Sequence, residues 1–224
     1  MAAAILSLLP ALAWLWYFTR QDRHGEPVGR LLLTFAAGAI LVWPAVWLES
    51  PWRSWATDGS AWQRWGGVLF VVAPLEENLK LVAAAATTWR RPELDEPVDA
   101  VIYLVAAALG FAAAENLLYA RAFGLAITPW RGLFSALAHA TFSGVLGVQV
   151  GKGLFGGRAL APSLLLGEAI AVLLHGTYDG LLFAGGMQAL AAIGLLVVAA
   201  LYLGRSLRQL AQSRPPARIR TPTQ

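Results

Sequence analysis

Residues 98–120 read VDAVIYLVAAALGFAAAENLLYA. An α-helix rises about 1.5 Å per residue and the hydrocarbon core of a bilayer is about 30 Å thick, so a spanning helix needs about 20 mainly apolar residues. This stretch meets that requirement. Working outward from it, the runs 1–18, 29–48, 66–89, 132–150, 163–184 and 187–204 have the same character. Composition agrees. Of the 224 residues, 58% are hydrophobic and 13% charged, and the mean hydropathy is +0.58. Soluble domains are nearer 45–50% apolar and about 25% charged. The fold expected is therefore all-α: a polytopic membrane protein of about seven transmembrane helices in one bundle over residues 1–204. The basic segment 205–224, with Pro215-Pro216 and no apolar period, reads as a disordered cytoplasmic tail. The absence of cysteine excludes a disulfide scaffold. The net charge of +4 does not point to nucleic acid, because the basic residues fall in short breaks between apolar runs. The first run lacks a basic leader and a small-residue cleavage site, so it is expected to be a span and not a cleaved signal peptide.

Those breaks also give an orientation. Of 17 Lys and Arg, Lys80 lies within the third run, and Arg53, Arg64, Arg121 and Arg131 lie on one side. The remaining twelve lie on the other, which also carries the C-terminus. Basic residues favour the cytoplasm, so the C-terminus is expected inside and the N-terminus outside, in the cell membrane. Tryptophan is concentrated between Trp43 and Trp65. The i,i+3 pairs Trp52/Trp55 and Trp62/Trp65 suggest an interfacial helix in the outer headgroup layer or a plain aromatic belt.

Ionisable side chains within the spans are costly, about 2.5–3.5 kcal/mol each on insertion scales, and mark function by default. Span 3 carries Glu76, Glu77 and Lys80 just after Pro74. Glu76 and Lys80 share a face at i,i+4 and are expected to pair, which leaves Glu77 without a local partner. Pro74 cannot donate to the carbonyl of Phe70, so a kink is expected just above the acids. Span 4 places Glu115 and Asn116 after a stretch of small residues that allows close helix approach. Spans 5 and 6 carry His139/Ser143 and His175/Asp179, each pair at i,i+4. Counted along alternating helices at 1.5 Å per residue, Glu76, Glu77, Glu115, His139, His175 and Asp179 lie roughly 8–15 Å below the outer face. Four helices thus bring polar groups to one layer. Glu168, near the inner start of span 6, does not join it and reads as a solvated or paired rim residue.

Glu76-Glu77-x-x-Lys80, Phe111-x-x-x-Glu115-Asn116, His139-x-x-x-Ser143 and His175-x-x-x-Asp179 occur in that order on four successive spans. This constellation resembles the PrsW family of intramembrane proteases, related to the CAAX prenyl endopeptidase and bacteriocin-processing (CPBP/ABI) superfamily. The resemblance covers about residues 66–184. Lys80 and Asp179 stand where the wider superfamily commonly has Arg and Asn, which favours the PrsW branch. It implies hydrolysis of a peptide bond in a membrane-anchored protein, an anti-sigma factor being the best-known case, on the extracytoplasmic side. The expected catalytic residues are Glu76, Glu77, His139 and His175, with either glutamate as the base that activates water. Lys80, Glu115, Asn116, Ser143 and Asp179 support them. Two mechanisms are open at this level. In one, His139 and His175 with Asp179 or Glu115 hold a zinc ion. In the other, a metal-free glutamic protease uses the histidines to orient water and stabilise the oxyanion.

Other intramembrane proteases lack support, since there is no His-Glu-x-x-His, Gly-x-Gly-Asp or Gly-x-Ser-x-Gly. A transporter or proton relay is the main rival, because buried acids and histidines also build relays. A non-catalytic scaffold or immunity protein on the same fold is the other. The partners expected are a membrane-anchored protein substrate and the lipid bilayer, with no nucleic acid.

Overall fold

A computed structural model describes residues 2–212. The described residues are helical apart from short connections and contain no strand, with helices α1 (Ala2–Thr19), α2 (Val28–Glu49), α3 (Arg53–Thr57), α4 (Ala61–Gly67), α5 (Ala73–Thr88), α6 (Pro97–Phe123), α7 (Thr128–Trp130), α8 (Ala136–Phe155), α9 (Leu160–Ala184) and α10 (Gly186–Leu210). Six helical stretches are long and apolar enough to cross a membrane: Ala2–Thr19, Val28–Trp55, Pro97–Phe123, Thr128–Phe155, Leu160–Ala184 and Gly186–Leu210. The chain is a multi-pass membrane protein. The third expected span is present as α4, a wide π turn over Val68–Val72, and α5. It stands apart from the six because the turn interrupts it and α5 is only 16 residues long with three charges inside it.

Helices α6 and α8 form the centre. Residues 97–113 of α6 and 138–151 of α8 are buried without a break, by α1, α2, α5, α9 and α10 around them. Small residues make this possible. A Cβ on Gly110 of α6 would stand 1.8 Å from the carbonyl oxygen of Phe35, and one on Gly38 of α2 would stand 2.0 Å from that of Ala107. The two backbones therefore touch through reciprocal glycines, as expected for helices in lipid, where close packing replaces hydrophobic drive. Gly147 and Gly151 of α8 meet Val101 and Pro97 of α6 in the same way.

Two expectations change. The Trp-rich outer segment is not one interfacial helix. It is two short helices, α3 and α4, parted at Asp58–Ser60, where Ser60 and Gln63 form a reciprocal cap. Trp62 is 88% exposed, but the ring of Trp65 fills the space left by Gly180 on α9, where a Cβ would stand 2.4 Å from it. The last helix also passes the expected boundary at residue 204 and continues to Leu210. Its buried stripe Leu196, Ala199, Leu203 and Leu207 keeps helical spacing past Arg205 and Arg208, which lie on other faces. Residues 213–224, most of the expected tail, lie outside the described residues. The turn at Gly185-Gly186 is as read from sequence, with φ of 70° and 55°.

Candidate active site

Each of the two helices that open the site, α5 and α8, is entered through a π turn: Val68–Val72 before Glu76 and Glu77, and Arg131–Ser135 before His139. Pro74 accounts for the first. It has no N–H to offer the preceding turn, so the expected kink takes the form of a widened turn. Such turns are frequent at functional sites because an extra residue changes which side chains face inward.

Lys80 is the hub. It is fully buried, and its Nζ donates to Glu77 Oε1 at 2.8 Å and Glu76 Oε2 at 3.2 Å, and lies 2.8 Å from His139 Nδ1. Its cation also sits 4.8 Å from the centroid of the Phe111 ring. The expectation that Lys80 pairs with Glu76 alone is corrected here. Position i+3 is as reachable as i+4 on a helix, and Lys80 bridges both acids. Far from lacking a partner, Glu77 is engaged through both of its oxygens. It is 0% exposed, Oε1 accepts from Lys80 and lies 2.8 Å from His175 Nδ1, and Oε2 accepts from Ser143 Oγ at 2.6 Å. Glu77 thereby ties α5 to α8 and α9.

These contacts fix the ring nitrogens. Glu77 is an acceptor toward Lys80 and Ser143, so His175 donates to it from Nδ1 and turns Nε2 the other way. That Nε2 faces Asp179 Oδ2 at 3.4 Å and Glu76 Oε2 at 3.8 Å. A charged Lys80 makes His139 Nδ1 an acceptor, which leaves Nε2–H for Glu115 Oε2 at 3.0 Å. Each histidine therefore has one nitrogen held by a carboxylate and the other turned toward Glu76 Oε2, which lies 3.8 Å from both. Glu76, His139 and His175 have ligating atoms within 4.8 Å of one another, all buried.

A metal ion is one group that this cluster could hold. With His175 neutral, its Nε2 lone pair faces the carboxylates of Asp179 and Glu76, and either a proton on Nε2 or a bound cation resolves that repulsion. Histidine ligands backed by carboxylates are the usual arrangement around zinc. Tetrahedral ligands about 2.0–2.1 Å from an ion stand about 3.4 Å apart, slightly closer than the spacing here. The donor set fits a divalent ion once Lys80 gives up His139 Nδ1, whose single lone pair cannot serve both the ammonium and a metal. The third donor differs from the sequence reading. Glu76 completes the trio, whereas Asp179 reaches only His175, and Glu115 approaches His139 from its other nitrogen.

A cavity of about 120 Å³ opens onto this cluster, lined by His139, His175, Glu115, Asp179, Tyr119, Arg131, Phe142 and Tyr178 among others. Glu76 and Glu77 do not line it. All nine expected site residues are thus drawn into one network, with Asn116 entering through its Oδ1, which accepts from Arg131 Nε at 3.3 Å. Glu168 is paired, as one of its two readings had it: it accepts from Asn78 Nδ2 at 2.9 Å, between α9 and α5.

Comparison with known proteins gives the family. The sequence profile described as PrsW family intramembrane metalloprotease matches residues 26–204. The chain belongs to the PrsW family. Protease PrsW of Geobacillus kaustophilus is 32% identical over 176 residues, covering 78% of this chain and 77% of that protein. Protease PrsW of Bacillus subtilis is 31% identical over 186 residues, 81% and 84% respectively, and that of Clostridioides difficile 30% identical, 80% and 78%. No solved structure matches. Membership of the PrsW family supports an intramembrane protease.

Two residues of the site escaped the sequence reading. Arg131 counted only as an outer charge, yet it turns into the cavity. Glu49, at the end of α2, fell one residue outside its expected span. Its Oε1 is buried with no hydrogen-bond partner among the described residues, on the face that carries Val42, Ala45 and Val46 against α6. The i,i+3 and i,i+4 spacing to Val46 and Ala45 is a signal that could have found it.

Proposed function

We propose that this chain hydrolyses a peptide bond in a membrane-anchored protein, at the cavity over Glu76, His139 and His175. The observation that carries the reading is the convergence of His175 Nε2, Glu76 Oε2 and Asp179 Oδ2 beside an open cavity. Glu76, His139 and His175 would hold a divalent ion such as zinc, which when bound polarises a carbonyl and acidifies water. Glu77 positions the centre: its two oxygens hold Lys80, His175 and Ser143 and have no room for a proton in transit. Asp179 has the geometry for that task. Its side chain is 26% exposed, lines the cavity, and sits 3.4 Å from His175. In this reading Asp179 takes a proton from the attacking water and passes it to the departing amine, which restores the carboxylate. Leu182 and Phe183 on the cavity wall offer apolar contacts to a substrate segment.

The side of the membrane follows from the basic-residue asymmetry, which supports an extracytoplasmic cavity and a cytoplasmic C-terminus in the cell membrane. A membrane-anchored anti-sigma factor is the substrate that family resemblance favours. Purified protein in liposomes with a single-pass test substrate checks the proposal. Cleavage by wild type, lost in His175→Ala and Asp179→Asn at unchanged folding, supports it. Equal cleavage by all three sinks it.

A further inference from the structure

Arg131 lies in the π turn that opens α8, and it is held on three sides by one face of α6. Its Nη2 is 3.1 Å from Glu115 Oε1, its Nε donates to Asn116 Oδ1 at 3.3 Å, and its guanidinium lies over the Tyr119 ring, 3.5 Å from the centroid. The other Glu115 oxygen, Oε2, lies 3.0 Å from His139 Nε2, an ion-pair distance without the alignment of a hydrogen bond. One carboxylate thus bridges the arginine and the histidine. Arg131 and Glu115 both line the cavity, with side chains 27% and 17% exposed, while Glu115 Oε2 itself is buried. A guanidinium is planar and offers a fixed fork, so it can stack on Tyr119 and still donate to two acceptors, which an ammonium cannot do.

We propose that Arg131 is a positioning residue, clamping Glu115 onto His139 Nε2 and so fixing Nδ1 as the nitrogen that faces Glu76 and Lys80. This rests on the reading of that cluster as the reaction centre. Arg131 then acts through Glu115 and touches no reacting atom. Loss of such a carboxylate–histidine support typically costs about 10–100-fold in activity or metal affinity. The loss falls on kcat, because the ring that misorients belongs to the reaction centre and not to the surface that binds substrate.

The test is a cycle of Arg131→Gly, Glu115→Gln and the double variant, assayed for liposome cleavage and for the nitrogen spectrum of the histidine rings. The chain has only three histidines, His24, His139 and His175, so ¹⁵N-histidine labelling gives a readable spectrum. Expected is a fall of about 10–100-fold in kcat for Arg131→Gly with KM unchanged. Added guanidinium ion should restore much of it, but not in the double variant, which should be no worse than Glu115→Gln alone. The His139 Nε2 signal should shift in Arg131→Gly and return with guanidinium, while Nδ1 stays the acceptor of Lys80. Additive losses, a change confined to KM, or unaltered His139 signals would each overturn the inference. If Arg131→Gly does not fold, Arg131→Lys serves: it keeps the charge and is expected to disturb the His139 signal and kcat without guanidinium rescue, and wild-type behaviour there overturns the inference as well. An inactive wild type would instead count against peptide hydrolysis, and the ring spectrum would still decide the role of Arg131.

Discussion

Exchanging Glu77 for glutamine should damage the fold as well as the activity, and more than the same change at Glu76. Glu77 has no exposed surface and receives Lys80, His175 and Ser143 from three helices. Removing one partner of a buried charge pair costs about 3–5 kcal/mol, because the other charge is stranded. Glutamine keeps a carbonyl oxygen for Lys80 and His175, and Glu76 still reaches Lys80 at 3.2 Å. The expected loss is therefore at or just below the bottom of that range, about 2–3 kcal/mol. At about 2–4 °C per kcal/mol for a chain of this size, the thermal midpoint in detergent should fall by about 4–12 °C. Glu76 makes one longer bond, to Lys80, so Glu76→Gln should cost about 1–2 kcal/mol. Both variants should lose cleavage in liposomes. A Glu77→Gln protein that melts with wild type while Glu76→Gln melts far below it would refute the assignment of Glu77 as the anchor.

Asp179→Asn should leave the melting temperature close to wild type, since the side chain is partly exposed, and abolish cleavage while bound metal is retained; full activity in the variant would refute Asp179 as the base. Gly110→Ala puts a methyl 1.8 Å from the Phe35 carbonyl and should cost about 3 kcal/mol or more, whereas Gly194→Ala on α10, with nothing within 4 Å, should be neutral or slightly stabilising by thermal unfolding. Glu26, in the α1–α2 loop, is pushed up to about 8 by burial, with Asp99 and Asp22 adding like charge against the Tyr103 hydroxyl that donates to it. Its folded value lies above the unfolded one, so its contribution is full below about pH 4.5 and is lost as pH rises to about 8. Glu26→Gln should flatten the drop in melting temperature between pH 5 and pH 9, and a wild type that gains stability over that range would contradict this.

Helix number and the depth of the polar layer were legible because both depend on spacing along single helices. Apolar run length gives the spans, and 1.5 Å per residue places Glu76, His139 and His175 at one level. What spacing cannot give is rotation about each helix axis. The two π turns alter that rotation just ahead of Glu76 and His139, so which carboxylate meets which ring nitrogen had to come from the fold. The partners of Glu77 show the limit well. Lys80 at i+3 is a local contact that a stricter reading of helix geometry yields, but Ser143 and His175 come from α8 and α9. Arg131 was hidden for another reason: an arginine at a span end looks the same in sequence whether it faces water or folds back over Tyr119. The family motifs do not include it.

The most direct test is a zinc titration. Protein stripped of metal is placed in liposomes with a single-pass substrate, and cleavage is followed as zinc is added back. The expected result is no cleavage by stripped protein and full recovery at one zinc per chain, with none in His175→Ala. Undiminished cleavage by the stripped protein, or recovery in His175→Ala, would contradict a cation-dependent centre at Glu76, His139 and His175.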